Sequence, residues 1–409
     1  MKVEGSHDPD RVRDDEMLIL LRQLMIGSIL FYVTTMMYTM RFKSTALIIT
    51  LIALMAACAA TRQPNVPERS TSLPHTAKNI VLLIGDGMGI TQLSAGTYSN
   101  GNTSAFERIK VVGLHKSYAS DKLVTDSAAG ATAFACGQKT YNGAIAMDPD
   151  SVNLPTILEE AEERGLATGL VASSSIVHAT PASFIAHNKY RKNYEEIAAD
   201  FLSTEIDFFV GGGKKFFDNR STDERNLIAE LRENNYDVST YFDHDLHEAS
   251  ISSDRNFAYL TAYTEPLPHA QGRSYLPLAT RLGLDHLSDH DQDGFFLMVE
   301  GSQIDWGGHA NDLGYVLDEW KEFNSIVDEV LDWADEDGNT LVIITADHET
   351  GGLAIQYESK MDSIVGAFTS DYHTGTLIPV FAIGPGADQF GGIYENTAIY
   401  DKMRSAYGW

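Results

Sequence analysis

Beyond residue 78 the chain alternates short apolar runs with longer stretches of helical periodicity. Seven runs read as strands, at 79–84, 110–114, 167–172, 207–210, 295–300, 340–345 and 378–383. Several are apolar at nearly every position, as a strand covered on both faces requires. Such strands alternating with helices predict α/β class, with a central, mostly parallel sheet. No internal repeat or linker interrupts the span. In open sheets of this kind, sites form beyond the carboxyl ends of the strands.

The N-terminal part is read separately, because targeting segments are not fold. A second start at Met40 fits such a segment better than Met1. Met40-Arg41-Phe42-Lys43 is basic, 46–54 is an apolar run, and Met55-Ala56-Ala57-Cys58 puts small residues before a cysteine. Residues 40–58 resemble a bacterial lipoprotein signal with Cys58 lipidated, although Met55 stands where leucine is usual. An ordinary signal peptide or a transmembrane anchor is the alternative. Residues 1–39 then read as an extension upstream of the true start. Residues 59–78, polar and carrying Pro64, Pro67 and Pro74, read as a tether, and 79–409 as the catalytic domain. The expected location is the periplasm, with membrane contact only through the lipid. Ala59 after the cysteine favours the outer membrane in a Gram-negative host.

Composition narrows the function. The 409 residues carry 30 Lys+Arg against 57 Asp+Glu, a formal net charge of -27. A surface that binds nucleic acid needs the opposite sign. A small phosphorylated substrate stays open, since bound cations would not appear in this count. Two cysteines, Cys58 and Cys136, exclude a disulfide framework and a cysteine-rich zinc site.

Three predicted strands end on residues of metal-ligand type. The first runs into Gly85-Asp86-Gly87, the fifth into Glu300-Gly301-Ser302-Gln303-Ile304-Asp305, and the sixth into Ala346-Asp347-His348-Glu349. Asp305 and His309 are four apart, so a helix there puts both on one face. His373 precedes the last strand. Singly, an aspartate after a strand is more often a cap, and a histidine more often a hydrogen-bonded structural residue. Together they bring four carboxylates and three imidazoles to one edge, which is prohibitive to bury without cations. Imidazole with carboxylate suits Zn²⁺, and a carboxylate–hydroxyl–water set suits Mg²⁺. In Thr125-Asp126-Ser127-Ala128-Ala129 small helix formers follow Asp126-Ser127. Ser127 therefore sits at or near a helix N-terminus, where an anion is favoured. The competing reading makes Asp126 or Ser127 only an N-cap. No Gly-x-Ser-x-Gly elbow surrounds Ser127, which disfavours a Ser-His-Asp hydrolase.

Six motifs together resemble the alkaline phosphatase family, in the family's order, from residue 79 almost to the end. They are Val81-Leu82-Leu83-Ile84-Gly85-Asp86-Gly87-Met88-Gly89, Thr125 to Ala129, Lys139-Thr140-Tyr141-Asn142-Gly143, Val299-Glu300-Gly301, Thr345-Ala346-Asp347-His348-Glu349-Thr350-Gly351-Gly352 and His373-Thr374-Gly375. The resemblance implies a three-layer α/β/α sandwich, usually a homodimer, that hydrolyses small phosphate monoesters with two Zn²⁺ and one Mg²⁺ per subunit. It implies Ser127 as nucleophile and Arg191 as the phosphate-binding arginine. Asp305, His309 and His373 would hold one zinc, and Asp86, Asp347 and His348 the other. Asp86, Thr180 and Glu300 would hold magnesium. His178 and Trp306 stand where the most familiar bacterial version has Asp and Lys, which bears on the magnesium site and on contacts to phosphate. Asp126 is a further residue expected beside the site.

Other readings are weaker. Residues 289–300 satisfy the EF-hand pattern letter for letter, but the run 295–299 is wholly apolar where calcium ligands are needed. Gly211-Gly212-Gly213-Lys214-Lys215 lacks phosphate-loop spacing and reads as a strand-end turn. A sulfatase would need a Cys/Ser-x-Pro-x-Arg context around the nucleophile, and phosphodiesterases of this fold typically use threonine. A lipid-anchored binding protein without catalysis is opposed by the intact serine and ligand set.

Overall fold

The computed structural model describes residues 76–409 except 253, 291 and 292, together with residue 28. The lipoprotein-type signal 40–58 with Cys58 lies outside the described residues. So do the extension 1–39 apart from residue 28, and the tether 59–78 up to residue 75. Among the described residues no helix is long and apolar enough to cross a membrane.

The strands are β1 (Asn79–Gly85), β2 (Val111–Lys116), β3 (Ala167–Ser175), β4 (Phe208–Gly212), β5 (Tyr236–Thr240), β6 (Asn256–Leu260), β7 (Phe295–Gly301) and β8 (Thr340–Thr345). Four two-residue strands come next, β9 (Glu349–Thr350), β10 (Ala354–Ile355), β11 (Gly366–Ala367) and β12 (His373–Thr374). The last two are β13 (Leu377–Ile383) and β14 (Gly392–Glu395). Ten of these form one sheet in the order β14-β2-β13-β8-β1-β7-β3-β4-β6-β5. Neighbours run parallel except where β13 pairs antiparallel with both β2 and β8. The seven predicted strands are all present. The strands β5, β6 and β14, which are not among the seven, extend the sheet towards its two edges.

Helices cover both faces, as the strand pattern requires. In β1, Ile80, Leu82 and Ile84 belong to one hydrophobic core, and Val81 and Leu83 to the other. Five helices frame the site and the core beneath it: α1 (Ile90–Ser99), α2 (Ser127–Cys136), α3 (Tyr275–His290), α4 (Gln303–His309) and α5 (Leu313–Asp337). Helix α5 starts where the Asp312 carboxylate accepts from Tyr315 N at 3.1 Å and stops at Gly338, whose φ is 73°. Its apolar stripe buries Trp320, Phe323, Ile326, Val327 and Val330. Helix α1 approaches closely at Gly96, where a Cβ would lie 2.0 Å from the Trp320 ring.

The register places the site. Ile84 pairs with Glu300 on one side and Thr345 on the other, so β7, β1 and β8 end level at the sheet's centre. Because β13 runs the other way, its first residue lies at that same edge, and the preceding His373 arrives there too. The EF-hand pattern dissolves in three dimensions. Asp289 is in α3, whereas Glu300 stands near the far end of the buried strand β7, about 17 Å of extended chain beyond its start.

Trp320→Ala is expected to cost about 3–5 kcal/mol of folding stability, since a fully buried indole leaves a cavity that Gly96 cannot fill. Denaturant unfolding measures it; a loss below about 1 kcal/mol would show that the helix packing contributes less than this geometry implies.

Candidate active site

The ligand-type residues come together where β1, β7 and β8 end. Asp86, Glu300, Asp347 and His348 are fully buried, and Asp305 and His373 nearly so. His348 Nε2 lies 3.5 Å from Asp86 Oδ1 and 3.1 Å from Asp347 Oδ2. His309 Nε2 lies 3.4 Å from Asp305 Oδ2 and 3.1 Å from His373 Nε2, and His373 Nε2 lies 3.6 Å from Asp305 Oδ1. Helix α4 thus presents Asp305 and His309 on one face, as their spacing predicts. The two predicted trios form adjoining clusters, with the rings of His348 and His373 stacked at 3.5 Å. The close approach requires glycine at 87, where φ is +73° and a Cβ would lie 2.7 Å from Asp305 Cα.

Backbone carbonyls orient two of the imidazoles. A carbonyl can only accept, so His309 Nδ1 donates to Asp371 O at 2.7 Å and His373 Nδ1 to Thr125 O at 2.8 Å. Each therefore turns an Nε2 lone pair inward, the arrangement a metal ligand needs.

Buried oxygens without partners mark where a cation fits. Both carboxylate oxygens of Asp86, Oδ2 of Asp347, Oε1 of Glu300 and the hydroxyl of Thr180 make no hydrogen bond. Native proteins rarely leave such groups unmatched. Burial, then the charges of Asp347, Asp305 and Glu300, raise the Asp86 carboxyl well above its usual range. Burial pushes Glu300 up to about 7, against the hydrogen bond from the Ser302 hydroxyl, and Asp305 up to about 6. Burial drives the His348 and His373 imidazoles down, keeping both neutral. Mutually repelling carboxylates with neutral imidazoles are a donor set for divalent cations. Two such trios are Asp86 with Asp347 and His348, and Asp305 with His348 and His373.

Ser127 is the first residue of α2, and Asp126 is its N-cap, accepting from Ala129 N at 3.0 Å. The cap role belongs to Asp126, which leaves the Ser127 hydroxyl 3.3 Å from His348 Nε2. The other Asp126 oxygen accepts from Arg191 Nη1 at 3.0 Å. Arg191 is therefore no solvated surface arginine. A cavity of about 350 Å³ opens over Ser127, Arg191, His178, Asp305, His309 and His373. Two roomier cavities, around Tyr275 and around Arg255, contain none of the predicted site residues.

His178 lies on the cavity wall, its ring 6.4 Å from Tyr194 and 6.1 Å from half-buried Trp306. Burial and then Arg191 push its imidazole down to about 3, so it is neutral. Other lining residues carry no signal of their own in the sequence: Tyr190, Lys192, Tyr194 and Tyr372. Asn142 is visible only inside its motif. It accepts from Asp126 N at 3.0 Å and donates to Val124 O, pinning the turn before Ser127. Ser302, inconspicuous between Glu300 and Asp305, donates its hydroxyl proton back to Glu300 at 2.6 Å.

Residues 77–367 match the family model described as alkaline phosphatase. Alkaline phosphatase 3 of Bacillus subtilis (strain 168) is 39% identical over 347 residues, covering 80% of this chain and 72% of that protein. The alkaline phosphatase of the Antarctic bacterium TAB5 superposes with a TM-score of 0.78 at 44% identity, covering 82% of this chain and 99% of that one. A histidine-to-glutamate variant of it, with Mg bound in its M3 site, gives 0.76 at 41%, with the same coverage.

The raised carboxyl of Glu300 sets a pH-dependent stability. Its folded value is about 7 against an ordinary 4.5, so the folded protein holds the extra proton between these values. In metal-free protein the wild type therefore loses stability relative to Glu300→Gln as pH rises from about 4.5 to about 7. Added Zn²⁺ or Mg²⁺ should reverse the order above pH 7. Parallel unfolding curves for the two proteins at every pH would contradict this.

Proposed function

The chain belongs to the alkaline phosphatase family and is a phosphomonoesterase, and from that premise we propose that it hydrolyses phosphate monoesters through a phosphoserine at Ser127, with two Zn²⁺ and one Mg²⁺ per subunit. Asp305, His309 and His373 hold one zinc, Asp86, Asp347 and His348 the second, and Asp86, Glu300 and Thr180 the magnesium. The observation that carries the reading is a serine hydroxyl at a helix N-terminus, 3.3 Å from His348 Nε2, beside buried carboxylate oxygens that lack partners.

Bound cations would stabilise the serine alkoxide, neutralise the departing alkoxide and activate a water. The chain's own residues do the positioning. Ser127 Oγ forms a bond to phosphorus as the ester P–O bond breaks, and the alcohol leaves with a proton. Water then attacks the phosphoserine phosphorus, freeing inorganic phosphate and restoring the hydroxyl. The N-terminal end of α2, where Ser127 stands, favours an anion. Arg191, held through Nη1 by Asp126, keeps its remaining donors for phosphoryl oxygens, and a planar guanidinium grips two at once. Positioning and charge neutralisation are most of what phosphoryl transfer requires. The cavity grips the phosphoryl end, which suits a broad range of alcohols.

The family resemblance also supports a homodimer, and the signal-like segment 40–58 supports a lipid-anchored periplasmic location.

Ser127→Ala is expected to keep the fold and bind zinc, yet lose turnover by about 10⁴-fold or more and trap no phosphoserine. Wild-type activity in that variant would end the covalent mechanism. Arg191→Ala should lose less, about 10²-fold, because the cations still hold the phosphoryl group. An inactive Arg191→Ala with full zinc content would show that positioning by Asp126 and Arg191 is indispensable.

A neutral imidazole at 178 is a poor partner for hard Mg²⁺ and its waters, and a carboxylate is a good one. The TAB5 variant with glutamate in place of a histidine and Mg bound supports this. His178→Asp is expected to tighten magnesium about tenfold. Equal magnesium isotherms for the two proteins would refute the argument and leave the phosphatase assignment standing.

A further inference from the structure

The ribbon of β9 and β12 links the two clusters. Its strands pair antiparallel, with Thr350 opposite His373 and Glu349 opposite Thr374. Successive strand side chains alternate in direction. Thr350 and His373 therefore share the face turned to the clusters, and Glu349 and Thr374 the other.

The outer face is a clamp. The Glu349 carboxylate accepts from Gln92 Nε2 at 2.6 Å, from Gly352 N and Leu353 N at 3.2 Å, and from the Thr374 hydroxyl. Gln92 also donates to Thr350 O at 2.8 Å, and Thr350 N donates to Gly87 O at 3.1 Å. With so many donors Glu349 is satisfied without a cation. Its work is to pin the ribbon against α1 and the turn after β1.

On the inner face one hydroxyl touches both clusters. Thr350 Oγ1 lies 2.5 Å from Asp305 Oδ1 and 3.2 Å from His348 Nδ1. A hydroxyl has one proton and a carboxylate only accepts, so the proton points to Asp305. The oxygen must then accept from Nδ1–H of His348. That assigns the His348 tautomer: its lone pair is on Nε2, the atom facing Asp86, Asp347 and Ser127. His309 and His373 receive the same tautomer from backbone carbonyls. His348 receives it from a side chain that is itself bonded to the other cluster.

We infer that Thr350 is a positioning residue that couples the two metal clusters, its single hydroxyl orienting Asp305 in one and setting the tautomer of His348 in the other. The inference rests on the proposed zinc reading. A cation on Asp305 fixes that carboxylate as the acceptor, which fixes the hydroxyl proton and presents His348 Nε2 to the second cation. By linkage, filling either cluster favours the other to the same degree.

The test is a zinc titration of chelator-stripped wild type, Thr350→Val and Thr350→Ser, read by competition with a chromophoric chelator. Valine keeps the branched shape and loses the hydroxyl. The wild type should take two zinc ions cooperatively. Thr350→Val should lose about 10–100-fold in zinc affinity and bind its two ions independently. Serine should restore both affinity and cooperativity, which a packing role would not predict. If valine is not tolerated beside Gly308, where a Cβ would already lie 2.9 Å from Thr350 Cβ, Thr350→Ala carries the comparison. A hydroxyl-free variant with the wild-type isotherm, or a serine variant that restores nothing, overturns the coupling while leaving the zinc reading intact. A wild type that takes up no zinc overturns both.

Discussion

Four carboxylates, Asp86, Glu300, Asp305 and Asp347, are buried at one edge of the sheet, and their mutual repulsion is the constraint around which this molecule is arranged. Burial disfavours the charges of Asp86, Glu300 and Asp305, and the neighbouring Asp347 carboxylate raises their affinity for protons further. Such a cluster persists because every surrounding element restrains it. The strands β7, β1 and β8 end level, α4 puts Asp305 and His309 on one face, and glycine at 87 lets the turn after β1 pack against Asp305. The chain itself fixes the geometry of these donors, which is what preorganisation for divalent cations requires.

The same edge shows how the neutral donors are prepared. Three imidazoles turn Nε2 inward, because the other nitrogen is engaged by a carbonyl or by the Thr350 hydroxyl. Asp126 serves twice, capping α2 through one oxygen and holding Arg191 through the other. Nucleophile and phosphate-binding cation are thereby fixed to one another through a single carboxylate. The chemistry then needs little motion from the chain, in keeping with a reaction governed by positioning and charge.

Much of this is legible in the sequence, for identifiable reasons. Strands buried on both faces leave unbroken apolar runs, so β1, β7 and β8 stand out, and with them the edge where Asp86, Glu300 and Asp347 lie. The four-residue spacing of Asp305 and His309 encodes their shared helix face. The strand β5 is not legible, because YDVST mixes polar and apolar positions at the sheet edge, and in β6 the short apolar run FAYL does not by itself distinguish a strand from a stretch of helix. The direction of β13 is also hidden, since an apolar run does not state its polarity. Only the antiparallel pairing with β8 explains why His373, which precedes β13, reaches the same edge as residues that come after their strands. Ser302 and Thr350 are silent in the sequence because a hydroxyl that supports a ligand has no spacing rule; it is found by its partner in three dimensions. The partnership of Arg191 with Asp126, 65 residues apart, is of the same kind.

If this carboxylate-rich edge is a cation site that carries phosphoryl transfer, turnover must follow bound metal, and metal analysis joined to an activity assay decides it. Protein stripped with a chelator and then titrated with zinc and magnesium should regain p-nitrophenyl phosphate hydrolysis in proportion to bound metal, levelling at two zinc and one magnesium per subunit. Full turnover by protein shown to be free of metal would contradict the account.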